Sequence, residues 1–195
     1  MALEKSQVAM CNAALVRLGA DRITAIDEDS ENARKCNAVW DLTLEAVLGD
    51  HPWKFANKRA VLALATTTPA SGFSYYLQLP ADCIRALEVD DPKDAIWKRE
   101  GDFIATDESS LKIRYTARIS DPSKFSAGFI DALISRLIAD LAYPITNSVS
   151  LASAKMEQYL KVDLPRAKSA DSQQGSQDEY QSDEWLNARS AGASE

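Results

Sequence analysis

The sequence predicts an α+β protein that is mainly α: a four-helix bundle with an inserted small antiparallel β-sheet and an extended C-terminal tail. Three observations support this prediction. Apolar residues recur at helical spacing at both ends of the body, the period becomes two in the middle, and small polar and acidic residues dominate the last part. The predicted parts are a helical domain made of residues 1–50 and 120–170, a β-rich insertion at 51–119 and a tail at 171–195.

The first part of the helical domain contains two amphipathic patterns. The first covers residues 4–19 and ends at Gly19, and the second follows a cap at Asp29 or Ser30 and ends at Gly49. Each predicted helix has a single apolar face, so we expect the two to pack as a hairpin. The apolar stripes are Val8, Cys11, Leu15 and Leu18 in the first helix, and Ala33, Cys36, Trp40, Leu44 and Val47 in the second.

The middle of the chain alternates with the period of a β-strand. The stretches FSYYLQLP, CIRALEVD and LKIRYTARI predict strands, and the last of them alternates most strictly. The stretch AIWKREGDFIAT predicts a hairpin that turns near Glu100-Gly101-Asp102. This alternation predicts an antiparallel sheet with one solvent-exposed face. The preceding stretch, WKFANKRAVLALA, fits either a helix end or a strand.

The helical period returns after residue 120. The most apolar helix in the chain is predicted to run to about Tyr143 and to end because of Pro144. A last helix starts near Ser148 or Ser150, and Pro165 should kink or interrupt it, because proline removes one backbone hydrogen bond and clashes with the preceding turn. The candidate cap residues of the apolar helix are Asp121 and Ser123.

Charge is distributed unevenly along the chain. The net charge is −7, and the residues from Asp171 onward contribute six acids against Arg189 alone, which leaves about −2 for the rest. The one local basic cluster is KFANKR at 54–59. A duplex-binding surface must neutralise several phosphates with a continuous positive stripe, so nucleic acid is disfavoured as a primary ligand.

Composition also limits the compartment. No apolar run approaches the ~20 residues that span a bilayer, and the stretch MALEKSQVAM lacks the basic and apolar regions of a signal peptide. We therefore expect no membrane contact. Cys11, Cys36 and Cys83 form no CxxC pair, and two of them fall on apolar stripes, which predicts a reduced, cytosolic protein.

The sequence offers no recognisable catalytic set. His51 is the single histidine, and no nearby spacing supplies it with a nucleophile or a carboxylate. Neither a GxSxG elbow, nor a GxGxxG or P-loop pattern, nor a zinc or calcium ligand cluster is present. We therefore predict no enzymatic activity, no catalytic residues, no metal and no cofactor.

Four stretches, taken in order, resemble one family. The chain resembles the head-to-tail adaptor proteins of tailed bacteriophages, the group that includes tail tubular protein A. The resemblance rests on the ordered set LG…I, HPWKFA, LPADC and a strand followed by a long helix, and it covers nearly the whole chain. The stretches are CNAALVRLGADRITAID (11–27), ENARKCNAVWDLTLEAVLGDHPWKFANKRAVLA (31–63), YYLQLPADCIRALEV (75–89) and DFIATDESSLKIRYTARISDPSKFSAGFIDALISRLIADLAYPIT (102–146).

The resemblance implies a structural virion protein at the head-tail interface, which passes through the host cytoplasm during assembly. In this family the protein forms a ring, expected to be a dodecamer, beneath the portal protein. The helical part contacts the portal and neighbouring adaptors, and the β-rich insertion faces the next tail component, a nozzle or tail-completion protein. During ejection the viral DNA passes through the lumen without specific binding. Pro165 departs from the family pattern, because it stands where the last helix usually continues.

The tail contains one stretch that differs from its surroundings. In DEWLNAR, at 183–189, Trp185 and Leu186 are apolar within a polar and acidic segment. The stretch resembles the W-L-x-A-R ending of related adaptors, which implies that it anchors in the portal. The alternative is that it folds back on its own domain. The predicted protein-interaction residues are Tyr180, Trp185, Leu186 and Arg189, and Trp53 and Phe55 are predicted to form an interface or a core hinge.

Two other functions remain open from the residues alone. A small hydrolase would use His51 with a nearby acid and would need a concave pocket around it. A cytosolic binding module or assembly chaperone would use the C-terminal tail as a tether and would form only low-order oligomers. The order of predicted helices and strands does not separate the chaperone from the adaptor, whereas the family resemblance favours the adaptor.

Overall fold

The computed structural model describes residues 5–174 of the chain. The fold is mixed α+β, roughly half helical, with small antiparallel sheets, which confirms the predicted class at this level. A π-helical turn, Tyr159–Asp163, joins the last two helices into one rod. The helices are α1 (Gln7–Arg17), α2 (Glu31–Gly49), α3 (Ala127–Thr146), α4 (Val149–Gln158) and α5 (Leu164–Ser172).

The strands in the described part of the chain all lie between α2 and α3. They form two antiparallel sheets rather than the single predicted sheet, with strand orders β1-β7-β4 and β2-β3-β6-β5. The chain first passes from one sheet to the other at Leu62, which is buried and whose N–H donates to the Leu111 carbonyl at 2.9 Å. The strands are β1 (Asn57–Val61), β2 (Ala63–Leu64), β3 (Tyr75–Gln78), β4 (Cys83–Asp91), β5 (Trp97–Glu100), β6 (Phe103–Thr106) and β7 (Lys112–Ala117).

Several local predictions are confirmed in the strands. The hairpin of β5 and β6 turns at Gly101, whose φ of +60° lies in the left-handed region that glycine adopts without strain. The alternating residues of β7 and its flanks point inward as predicted. The opposite face is less exposed than predicted, because Thr116 is also buried. The inward residues are Leu111, Ile113, Tyr115, Ala117 and Ile119.

Helix starts follow serine caps. Ser30 caps α2, since its Oγ accepts the Ala33 N–H at 3.1 Å. The prediction for α3 was wrong by a few residues, because Ser126 caps this helix and Asp121 caps a separate short 3₁₀ turn before it. Phe125 lies between the two caps in extended conformation, and its side chain is buried in the core. The chain is therefore not helical between the 3₁₀ turn and α3.

The two prolines interrupt the helices less than predicted. Helix α3 continues through Pro144 to Thr146, and it ends only where Asn147 adopts a left-handed conformation with φ of 54°. The α-helical pattern is interrupted just before Pro165, but the π turn keeps the chain helical there. In that turn the Leu164 N–H donates to the Tyr159 carbonyl, five residues back.

One continuous hydrophobic core runs through the helices and both sheets. Helix α3 lies at its centre, packed against α1, α2 and the rod of α4 and α5. Leu133 and Leu137 of α3 share this core with Leu77 and Ile104 of the second sheet. Among residues 5–174, no helix is both long and apolar enough to cross a membrane.

Candidate functional site

The predicted site residues fall into two groups. Tyr180, Trp185, Leu186 and Arg189 lie outside the described residues. Trp53 and Phe55 lie in the short connection between α2 and β1, where the helices meet the first sheet. Trp53 is buried there, and Phe55 is partly buried.

Trp53 fixes the connection in the core. Its side chain is fully buried, and the indole Nε1–H donates to the Val47 carbonyl at 2.7 Å, which satisfies the one polar atom of the ring. The ring meets His51 and Phe129 edge-on, with centroids 5.0 and 5.1 Å away. The ring of Phe55 also packs against Phe129, with the two ring centroids 4.9 Å apart. The aromatic cluster thus holds the end of α2 and the start of β1 against α3.

A buried polar contact lies beside this cluster and ties the end of the last helix to it. The Oδ2 atom of Asp171 in α5 lies 3.3 Å from Nε2 of His51 and accepts the backbone N–H of Lys54 at 3.0 Å. Asp171 is only 1% exposed, and its Oδ1 atom has no hydrogen-bond partner among the described residues. A buried carboxylate is costly unless it is bonded, so this contact holds α5 in one position.

Sequence reasoning missed this contact because it assigned Asp171 to the acidic tail. The predicted tail boundary at 171 falls inside α5, which extends to Ser172. The usable signal was helical spacing, since Leu164, Ala167 and Asp171 recur at intervals of three and four and are all buried. The carboxylate partner of His51 is therefore supplied by a residue distant in sequence.

The His51 and Asp171 pair resembles the base and orienting acid of a catalytic triad only in part. Burial lowers the pKa of His51, and the Asp171 carboxylate opposes that shift. Within residues 5–174, no hydroxyl or thiol side chain is hydrogen-bonded to His51, so the pair lacks a nucleophile there. His51 also lines none of the three clefts described below. The geometry supports a structural tie more directly than general-base chemistry.

A second polar tie joins the end of α2 to the same rod. The hydroxyl of Tyr159, a fully buried residue, donates to Oδ2 of Asp50 at 2.6 Å, and the Arg136 guanidinium lies 5.5 Å from the ring centre. Burial and the Asp50 carboxylate raise the pKa of Tyr159. The π turn contributes to this geometry. One extra residue in a turn rotates the following helix by ~100°, so without the π turn Asp171 would point elsewhere.

A concave feature lined by several charged residues lies between α3 and this rod. It is a cleft of about 670 Å³, and Arg17 at the end of α1 closes one side. Ser135 and Asp163 face each other in it, with the Ser135 hydroxyl donating to Asp163 Oδ2 at 2.5 Å. We call this feature the cationic cleft, because three basic side chains line it. Its principal residues are Arg17, Lys155 and Arg166, around Gly128, Ile138 and Ala167.

Two shallower grooves flank the cationic cleft. One follows the outer face of α1, past Ala9, Ala13 and Val16, and shares Arg17 with the cleft. The other lies between α3 and α4 and is lined by Ala139, Ala152, Met156 and Leu160, among others. Both grooves expose apolar side chains on helices, and such surfaces favour contact with another chain.

The described residues offer little for a metal or a reactive thiol. No group of three or more His, Cys, Asp or Glu side chains in this part of the chain is arranged to hold a metal ion. Cys11 and Cys36 face each other in the core, and a hydrogen bond between them, together with burial, raises the pKa of Cys11. That thiol therefore stays protonated and packs as a small apolar group.

Comparison with known proteins adds no family assignment. Neither a protein-family model nor a curated protein sequence matches the chain.

Proposed function

We propose that this chain is a head-to-tail connector adaptor of a tailed bacteriophage, which forms a ring beneath the portal and links it to the next tail component. One observation supports the proposal most: all strands of the described chain are inserted between the second and third helices. That order agrees with what the family resemblance implies, namely a helical part with a β-rich insertion. The proposal assigns the helical part to one partner and the β-rich insertion to another.

The helical part is proposed to be a four-helix bundle that contacts the portal. Its four members are α1, α2, α3 and the continuous rod of α4 and α5, with α3 touching the other three. Such packing around one central helix is typical of small bundles with short connections. The two sheets are proposed to face the next tail component.

Contact between neighbouring adaptors in the ring is supported by exposed apolar residues on the helices. Leu42 on α2 is 75% exposed and Val149 on α4 is 67% exposed. Tyr143, Leu160 and Val162 are also more than half exposed, and Leu160 lines the groove between α3 and α4. These side chains are distributed over α2, α3 and the rod of α4 and α5, and a ring of identical protomers needs two different contact surfaces on each protomer.

The tail is proposed to anchor in the portal through Trp185, Leu186 and Arg189, with Tyr180 nearby. Trp and Arg are frequent hot spots of protein interfaces. The ties at Asp171 and Tyr159 support this role, because they fix the position of α5, the last helix before residues 175–195 in the sequence. Repetition around a ring makes the later tails effectively intramolecular once the first is bound.

The decisive measurement is the mass of the purified protein with and without its phage's portal. The adaptor proposal expects a ring on the portal, and deletion of residues 178–195 is expected to abolish attachment to portal-bearing heads while leaving the circular dichroism spectrum unchanged. Ser190→Ala is a matched control in the same segment. Undiminished attachment of the truncated protein would refute the anchor. Low-order oligomers without affinity for portal would favour a chaperone instead.

A further inference from the structure

The cationic cleft has basic side chains without acidic partners. Among residues 5–174, no carboxylate lies within 4.0 Å of the charged groups of Arg17, Lys155 or Arg166, although eleven ion pairs of lysine or arginine form elsewhere in that part. The cleft is also lined by two acids: Asp131 is exposed, and Asp163 accepts the Ser135 hydroxyl, so three basic side chains stand against two acidic ones. The cleft therefore presents more positive than negative charge to solvent.

The cleft lies where the described chain ends. Ala170 of α5 is one of its lining residues, and residue 174 follows one helical turn later, ~6 Å along the axis. An extended chain covers ~3.3 Å per residue, so the nine residues from 175 to 183 can reach ~30 Å. The rod from residue 149 to Arg166, which forms one wall of the cleft, has eighteen residues and would be ~27 Å long as a helix. The reach of residues 175–183 exceeds that length. The whole cleft is thus within reach of the residues that follow.

Those residues carry the opposite charge. The segment 175–195 contains five carboxylates and a single arginine. Four of the five come as two adjacent pairs, Asp178-Glu179 and Asp183-Glu184. The spacing of the pairs spreads negative charge over several residues, which suits a cleft with three separated basic groups.

We propose that residues 178–186 of the same chain dock in the cationic cleft of the free protein. The acidic pairs face Arg166, Lys155 and Arg17, and Trp185-Leu186 lies on the α1 groove beside Val16, which is 53% exposed. The cleft is then an internal binding site for the segment that holds the proposed anchor. The inference goes beyond the adaptor function and does not depend on it, because it concerns the free chain alone.

The chain's own segment is favoured over a second copy because its effective concentration near the cleft is higher. A short flexible connection gives an effective concentration in the millimolar range, whereas the protein in dilute solution is micromolar or less. Contacts between exposed charges are individually weak, and only the tethered arrangement makes them sufficient. They are also sensitive to salt, since the Debye length falls from ~10 Å at 0.1 M to ~3 Å at 1 M.

The test is carbodiimide cross-linking of the full-length protein, which joins a lysine amine to a carboxylate in direct contact. Lys155 is the one lysine of the cleft, and Lys93, exposed in the β-rich part, serves as the reference amine. An equal mixture of nitrogen-14 and nitrogen-15 protein separates links within a chain from links between chains. We expect links from Lys155 to the carboxylates of 178–184 to exceed those from Lys93 by at least about fivefold, without isotope mixing.

Two perturbations complete the test. Arg17→Glu with Arg166→Glu is expected to reduce the Lys155 links at least about fivefold, as is 1 M NaCl on the unaltered protein. The matched control is Arg85→Glu with Lys98→Glu, which makes the same charge change at exposed sheet positions and is expected to have no effect. Mixed isotopes would overturn the proposal in favour of a second copy. Equal linking at Lys155 and Lys93, or insensitivity to both perturbations, would overturn it outright.

Discussion

Replacement of Asp171 tests whether the buried contact with His51 and Lys54 holds the last helix in place. In Asp171→Ala the Lys54 N–H loses its acceptor, and His51 loses the carboxylate 3.3 Å from its Nε2. In Asp171→Asn the side chain keeps its shape and one acceptor oxygen for the Lys54 N–H, but loses its charge. The two variants therefore separate loss of the hydrogen bond from loss of the charge.

The expected cost follows from the burial of these groups. A buried donor left without a partner costs ~1–3 kcal/mol, and the small cavity left by the truncated carboxylate adds ~1 kcal/mol. We expect Asp171→Ala to lower the free energy of unfolding by ~3 kcal/mol and Asp171→Asn by ~1 kcal/mol. For a chain of this length 1 kcal/mol shifts Tm by ~2–4 °C, so the alanine variant should melt ~6–12 °C lower.

The assay is thermal unfolding followed by circular dichroism, combined with hydrogen exchange of the α5 amides. Exchange in α5 should accelerate more than exchange in α3, because the contact secures only the last helix. Ser169→Ala is the control, since Ser169 is exposed on the same helix and its side chain makes no hydrogen bond in the described structure. If the alanine and asparagine variants both melt within ~1 °C of the unaltered protein, the contact does not stabilise the fold.

Three further predictions concern His51, Tyr159 and Trp185. Burial lowers the pKa of His51 below its ordinary value of ~6.5, so as the pH falls the unfolded chain binds the proton before the folded chain does. The free energy of unfolding should therefore decrease below pH ~6.5, by up to ~1.4 kcal/mol per pH unit, until the folded histidine is also protonated. Urea unfolding at several pH values should show that His51→Gln removes this pH dependence. Tyr159→Phe deletes the hydrogen bond to Asp50 and should cost ~2 kcal/mol, seen as a lower urea midpoint with an unchanged slope. Trp185→Ala should weaken attachment to portal-bearing heads by ~2 kcal/mol per site, measured as complexes that fail to persist in sedimentation, and unchanged complexes would exclude Trp185 as a hot spot.

The sequence predicted best what depends on neighbours in the chain. The cap of α2 at Asp29 or Ser30, the turn near Gly101 and the inward face of β7 were each predicted from a few adjacent residues, and the structure places the cap at Ser30 and confirms the other two. The cap of α3 was misplaced because Ser126 and the earlier candidates have similar local patterns, and the burial of Phe125 decides between them. The residues around the cap do not show which side chain is buried by tertiary packing, so they could not predict the position of the cap.

The contacts of the candidate site depend on residues far apart in sequence, which is why they escaped prediction. Asp171 meets Lys54 across 117 positions, and Tyr159 meets Asp50 across 109. Both contacts also depend on the π turn, which contains Tyr159 and rotates α5, and with it Asp171, about the helix axis. A helical pattern extrapolated across Pro165 could predict neither the turn nor the side of the rod that becomes buried.

The two proposals together place the tail segment in a competition that can be measured. A segment held in the cationic cleft is unavailable to the portal. The apparent affinity for portal is then the intrinsic affinity multiplied by the fraction of molecules in which the segment is free. If about nine molecules in ten were closed, the affinity would be about tenfold weaker than the intrinsic value. Arg17→Glu with Arg166→Glu should then bind portal-bearing heads up to about tenfold more tightly than Arg85→Glu with Lys98→Glu, because it opens the cleft without touching the anchor. Weaker binding of the cleft variant would instead mean that Arg17 and Arg166 contact the portal directly, and that the cleft belongs to the assembled interface.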